Sequence, residues 1–188
     1  VVTKPFSFEG VNRMKIAENS LKKTKEKVDT LLTISNDKLF SILEPNTPFN
    51  SAFWQCDEIL REVVQGISDL IMLPGIVNLD LADVKSIMRN AGTALFGVGR
   101  AEGEKRAQKA VTKAINSPLL EMSYKGAKGI LFNISSGNRD VDLSEVDEIA
   151  KILTREADSR AKIIFGVVQD KNLKKGEIKI NVIATGFR

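Results

Sequence analysis

Between residues 49 and 72 apolar side chains recur every three or four positions, among them Ala52, Phe53, Cys56, Leu60, Val63, Ile67 and Ile71. That is the period of one helix face. Thr47 is placed to cap this helix and Pro48 to occupy its first position. Pro74-Gly75 ends it, since proline cannot continue the ladder and glycine accepts the left-handed turn. A helix of about 24 residues spans roughly 36 Å, twice the usual length. Its stripe is wide enough to touch two partners, so it reads as a strut between two subdomains. Gly66 inside it costs about 1 kcal/mol of helix propensity, which suggests that another element comes close there.

The chain before the strut predicts a strand ending at Lys4, a loop from Pro5 to Gly10, and a helix over 9–27. That helix turns Val11, Met14, Ala17 and Leu21 inward and lysines outward. A strand over 29–35 and a helical turn over 38–43 follow. After the strut come a helix over 80–90, a strand over 93–98, and a helix over 103–115 burying Ala107, Ala110, Val111 and Ala114. A strand over 128–134, a helix over 143–154 capped by Ser144, and strands over 161–168 and 177–184 complete the pattern. The order β-α-β-α-β-β predicts one small four-stranded sheet with helices on one face. Its first pairs join by right-handed crossovers and its last pair is a hairpin. Gly97-Val98-Gly99-Arg100-Ala101-Glu102-Gly103 imitates a dinucleotide fingerprint. It is one residue too long and lacks the answering acid about 20 residues on, so it reads as a tight strand–helix turn.

Composition narrows the function. At 43% hydrophobic and 28% charged, the chain can bury a real core. Its net charge of +4 is unevenly placed, a basic later half rather than a basic patch, with no basic run interleaved with aromatics, so nucleic acid is not an expected partner. No apolar run approaches membrane-spanning length, so direct membrane insertion is not expected. The absence of histidine excludes a histidine base or ligand, and the lone Cys56 excludes an internal disulfide. Val1-Val2-Thr3-Lys4 has no initiator Met and starts as a strand, which reads as the later part of a longer protein.

The residues past the strut carry the strongest chemical signal. Asn78, Asp80 and Asp83 fall within six positions, where Pro74-Gly75 hands over to a new helix. Asp80 suits the N-cap and Asp83 the first turn. The field there favours the ionised carboxylate, which suits orienting a water or holding a cation better than removing a tightly held proton. The same spacing serves equally a capping aspartate beside a solvated first-turn acid.

Val2-Thr3-Lys4-Pro5-Phe6-Ser7-Phe8-Glu9-Gly10, Val64-Gln65-Gly66-Ile67-Ser68-Asp69-Leu70-Ile71, Asn78-Leu79-Asp80-Leu81-Ala82-Asp83-Val84, Ser117-Pro118-Leu119-Leu120 and Ile183-Ala184-Thr185-Gly186-Phe187 follow in order. Together they resemble the FtsZ family, bacterial tubulin-like cell-division GTPases. The resemblance runs through the whole chain. It implies an α/β fold: the remnant of a Rossmann-like GTPase domain over 1–46, a central helix over 47–72, and a C-terminal α+β domain over 73–188 with a four-stranded mixed sheet. The family's phosphate loop, GGGTGTG, does not occur in these residues.

The resemblance also implies roles. Glu9 and Arg13 match the pair at the ribose and phosphate side of GTP or GDP, and Asn36 a nucleotide-contacting asparagine. Phe53 matches the position packing on guanine, and Asp57 the acid at its edge. Asn78, Asp80 and Asp83 match the loop that completes hydrolysis, with Mg²⁺, in the site of the next subunit. Gly66, Asp69, Leu70, Val77, Leu79 and Asn133 match the rim of the family's inhibitor-binding groove. Expected partners are further copies in a head-to-tail protofilament, the chain's own missing N-terminal segment, and division-ring adaptors, in the cytoplasm at the septum. The alternative is a non-catalytic piece that caps filaments without binding GTP.

Overall fold

In the computed structural model, the described residues are 1–40, 47–72, 76–77, 80–117, 123–138 and 140–187. Strands β1 (Val2–Lys4), β2 (Thr30–Ser35), β3 (Gly92–Ala101), β4 (Gly129–Ser136), β5 (Lys162–Gln169) and β6 (Ile178–Thr185) form one sheet in the order β1-β2-β3-β6-β4-β5. The helices are α1 (Val11–Lys25), α2 (Asn36–Phe40), α3 (Phe49–Met72), α4 (Leu81–Met88), α5 (Arg106–Ile115) and α6 (Leu143–Thr154).

The sheet has six strands where the sequence predicts four after the strut, because β2 joins β3. Thr30–Leu32 pair in parallel with Gly92–Ala94. The predicted terminal hairpin does not form. β6 inserts between β3 and β4, antiparallel to both, and β5 lies parallel on the outside of β4. The physical reason lies in the apolar pattern. Ile178, Ile180, Val182 and Ile183 of β6 are all buried, which needs cover on both faces and a neighbour on each edge.

Helices cover both faces rather than the predicted one. On one face α5 and α6 bury Ala110, Val111, Ile149 and Leu153 against Ile130, Phe132 and Ile180. On the other, Val63 of α3 and Val84 and Ile87 of α4 pack with Phe6, Phe96, Leu131 and Ile183. Alternation along β3, β4 and β6 sends successive side chains to opposite faces, so one run supplies both clusters.

Three local expectations are corrected. Gly97 and Gly99 lie inside β3, not in a turn. They are small because α5 rests on the strand: a Cβ at Gly97 would stand 2.1 Å from the Ala114 carbonyl oxygen, and one at Gly99 2.0 Å from that of Ala110. The cap of α6 is Asp142, not Ser144. Its side chain takes the N3 amide while Glu145 returns a carboxylate to the Asp142 amide at 3.0 Å. Val11 does not turn inward but is 71% exposed, and α1 buries none of its side chains. The strut, in contrast, has the predicted 24 residues.

Candidate functional site

Two clusters of polar and aromatic side chains stand at opposite ends of α3. The first gathers three segments distant in sequence. Phe6 is buried, stacks on the exposed Phe8 with ring centroids 4.9 Å apart, and meets Phe53 edge-on at 5.2 Å. The Phe6 amide donates to Glu9 Oε1 at 2.8 Å, and Arg13 closes on Glu9 Oε2 at 2.6 Å. Ser7 donates its amide and its hydroxyl to Asp37, at 2.9 and 2.5 Å. Those two bonds, the hydroxyl's first, hold the Asp37 carboxyl below the usual carboxylate range. Asn36 immediately precedes Asp37 and opens α2.

The structure therefore brings Glu9, Arg13, Asn36 and Phe53 to one end. Phe53 keeps 37% of its surface exposed, and Asp57 follows one turn later, also exposed. A half-covered ring beside an open carboxylate is the arrangement that lets a planar base stack and its edge donate hydrogen bonds. Phe6, Phe8, Ser7 and Asp37 belong to this cluster and were not among the residues singled out from sequence. Aromatic spacing in Phe6-Ser7-Phe8 was visible; the reach from Ser7 to Asp37, thirty residues on, was not.

The second cluster is the acidic corner. Asp80 caps α4, taking the Asp83 amide on Oδ1 at 2.7 Å. Among the described residues, the carboxylate of Asp83 has no hydrogen-bond or ion-pair partner. Ser86 donates to the Asp83 carbonyl at 2.6 Å, and the Lys162 ammonium donates to Ser86 Oγ at 2.6 Å. Two threonine hydroxyls fasten the far end of α4. Thr185 of β6 donates to the Ile87 carbonyl at 3.1 Å, and Thr30 of β2 to that of Met88. On the approach to the corner, Ile76 and Val77 bond to Val167 on the outer edge of β5. The acids thus sit on a fixed platform, and apolar side chains on the segments before and after Asp80 are exposed: Met72 is 74% exposed, Ile76 69% and Leu81 50%. Asn78 lies outside the described residues.

Nineteen residues of α3 separate Phe53 from Met72, about 28 Å at 1.5 Å per residue.

Between α3 and the sheet lies a cleft of about 610 Å³ lined by Gly66, Asp69, Arg100, Lys179 and Asn181 among others. A Cβ at Gly66 would stand 3.0 Å from Asn181 Nδ2 and 3.3 Å from the Phe96 ring, so the helix nearly touches the sheet there. Glu62 and Arg100 pair across the mouth. Asn133 is buried in β4, opposite Asn181, and donates to Ser135 Oγ at 3.2 Å. Val77 bridges Val167 through its backbone, and the residue is 38% exposed. Leu79 and the side chain of Leu70 lie outside the described residues. Among the described residues no three acidic or cysteine side chains converge on one point that could hold a metal, and no helix is long and apolar enough to cross a membrane.

Comparison with known proteins gives consistent matches. The model for the C-terminal domain of the FtsZ family matches residues 92–188. The cell division protein FtsZ of Magnetospirillum gryphiswaldense is 46% identical over 188 residues, all of this chain and 33% of that protein. An empty FtsZ dimer from M. jannaschii superposes with a TM-score of 0.91 at 41% identity, over 98% of this chain and 53% of that one. CetZ1 from Haloferax volcanii, solved as a GDP-bound monomer, gives 0.77 at 17% identity over 100% of this chain and 55% of its own. At that identity the likeness concerns the fold alone. The chain spans a third of the length of the curated relative and about half of the solved chains.

Proposed function

Because the chain belongs to the FtsZ family of cell-division proteins, we propose that it is part of a GTP-hydrolysing, filament-forming protein whose acidic corner completes the nucleotide site of the adjacent subunit. The observation that carries this reading is the separation along α3. Base-stacking and carboxylate groups stand at the start of α3, and about 28 Å of helix separates Phe53 from Met72, the last residue before the segment that leads to the acids. A head-to-tail filament is the simplest arrangement that brings the two together on one GTP. The exposed apolar side chains of Met72, Ile76 and Leu81 support a surface that a neighbouring subunit covers.

In this reading residues 1–46 complete a GTPase domain, 47–72 form the central helix, and 73–188 form the domain that acts on the neighbour. Phe53 stacks on the guanine and Asp57 accepts from its edge. Glu9 and Arg13 lie at the ribose and phosphates, with Asn36 beside them. Asp83 orients the attacking water with Asn78 positioning it, and Asp80 fixes the start of α4. Holding a water in line, with ionised groups already in place, is most of what phosphoryl transfer asks of a protein. Mg²⁺ arrives with the nucleotide bound by the neighbour. The filament assembles in the cytoplasm at the division septum, with adaptors recruiting it there.

The test is to mix Asp83→Ala full-length subunits with wild type in increasing proportion. Each variant presents a dead corner to an intact site, so GTPase activity falls steeply while nucleotide binding persists. Undiminished hydrolysis by the pure variant would remove Asp83 from the reaction. Capping without GTP binding, the alternative, is read separately by titrating the 188-residue chain with GTP and following filament growth.

A further inference from the structure

β2 and β3 pair over only three residues; beyond Leu32 and Ala94 the two strands part, β2 continuing along β1 and β3 along β6. On the face of the sheet that carries α5, a groove of about 230 Å³ opens at this split, walled on its other side by α1. Its floor is apolar, formed by Leu31, Ala94 and Leu95 with Leu21 of α1 above them. The stem of Lys25 runs beside Gly92, the first residue of β3, with Cε 3.9 Å from where a Cβ would stand.

The polar groups around this floor have one character. Lys4, Lys22 and Lys25 line the groove and no acidic residue does, whereas the three other cavities described each carry at least one carboxylate. Among the described residues, the ammonium groups of Lys22 and Lys25 have no ion pair or hydrogen bond, and the hydroxyls of Thr33 and Thr93 donate to nothing. Two cations and two hydroxyl donors over an apolar floor form a receptor for an anion with a short apolar body.

We propose that this groove binds a small aliphatic monocarboxylate. Its carboxylate would be held by Lys22 and Lys25 with the Thr33 and Thr93 hydroxyls, and its tail would lie on Leu21, Leu31 and Leu95. The site is separate from the acidic corner and from the cleft beside Gly66. It sits where the two parts of the sheet join, so a ligand there contacts both.

The experiment titrates the 188-residue chain with hexanoate and octanoate, followed by amide chemical shifts. The expected result is saturable shifts confined to residues around Leu21, Lys25, Leu31, Thr93 and Leu95. Hexanol and hexylammonium bind at least about tenfold more weakly. The Lys22→Gln/Lys25→Gln double variant loses about tenfold in affinity with an unchanged melting temperature, since both side chains are exposed. A Leu95→Asn variant is avoided because Leu95 is core. The proposal is overturned if hexanol binds as well as hexanoate, if the shifts fall elsewhere, if the double variant binds unchanged, or if no saturable shift occurs below about 10 mM.

Discussion

Arg106 and Glu145 meet through two parallel hydrogen bonds, each 2.7 Å, from Nε and one terminal nitrogen of the guanidinium to the two carboxylate oxygens. Arg106 is 1% exposed. It gives two more donors to the carbonyls of Asp140 at 2.9 Å and Gly176 at 3.2 Å, while Glu145 also closes the capping box of α6. One side chain therefore ties α5, the start of α6 and the β5–β6 loop together. Removing it leaves a half-buried carboxylate and two carbonyls without partners. Arg106→Ala should cost about 3–5 kcal/mol, the usual penalty for orphaning one side of a buried pair. In a domain of this size that lowers the melting temperature by roughly 10 °C or more. Arg106→Lys should recover only a fraction, because an ammonium cannot reproduce the planar fork. Thermal unfolding of the three proteins measures both effects.

Gly99 makes a second, independent prediction. Its absent Cβ would stand 2.0 Å from the Ala110 oxygen and 2.6 Å from the Ala114 nitrogen, both backbone atoms of α5. No rotamer change relieves that, so Gly99→Ala must lift the helix off the strand. A loss of about 3 kcal/mol or more follows. Gly103→Ala does not clash, since nothing lies within 4 Å; its cost comes only from a φ of +77° and should stay near 1 kcal/mol. Denaturant midpoints separate the two.

These glycines show where the sequence was legible and where it was not. The 24-residue strut, the Asp80 cap and the inward face of α5 follow from local periodicity and capping chemistry, and the structure contains all three. Gly97 and Gly99 were misread because a glycine required by a neighbouring backbone looks, in one dimension, like a glycine required by a turn. The place of β6 between β3 and β4 was hidden for a related reason, since strand order depends on non-local pairing. Within the site, the Asp80–Asp83 spacing could be read directly. The Ser7–Asp37 and Thr185–Ile87 bonds span 30 and 98 residues and carry no local signal.

Asp37 gives the aromatic end a pH dependence. Its folded pKa lies below the unfolded value of 3.8 because the Ser7 hydroxyl and amide bond to the ionised carboxylate. A depressed pKa stabilises the fold fully above the unfolded value, and that contribution is lost as pH falls through the folded one. The wild type should therefore be more stable than Asp37→Asn near neutrality, by no more than about 1 kcal/mol given solvent screening. The gap should close as pH drops below 3.8. Chemical denaturation of both proteins from neutral to acid pH gives the curve. A gap that stays constant would mean that Ser7 does not favour the charged form.

Asp80 and Asp83 are three residues apart, yet the structure gives them opposite relations to the fold. Asp80 accepts the Asp83 amide at 2.7 Å and so holds the first turn of α4. Asp80→Ala should destabilise the chain by about 1 kcal/mol, the ordinary value of an N-cap, and Asp80→Asn or Asp80→Ser should restore most of it. The Asp83 carboxylate holds nothing, so Asp83→Ala should leave the melting temperature of the isolated chain within about 1 °C of wild type. In full-length filaments the ranking reverses: Asp80→Asn should retain much of the GTPase rate, whereas Asp83→Asn, a nearly isosteric change that removes only the charge, should lose about 100-fold or more, as when an ionised group that positions the attacking water is removed. Stability and turnover measured on the same set of variants thus read different residues. If Asp83→Asn destabilises the chain as much as Asp80→Ala does, the acid is serving its own helix and is not free to serve a neighbour.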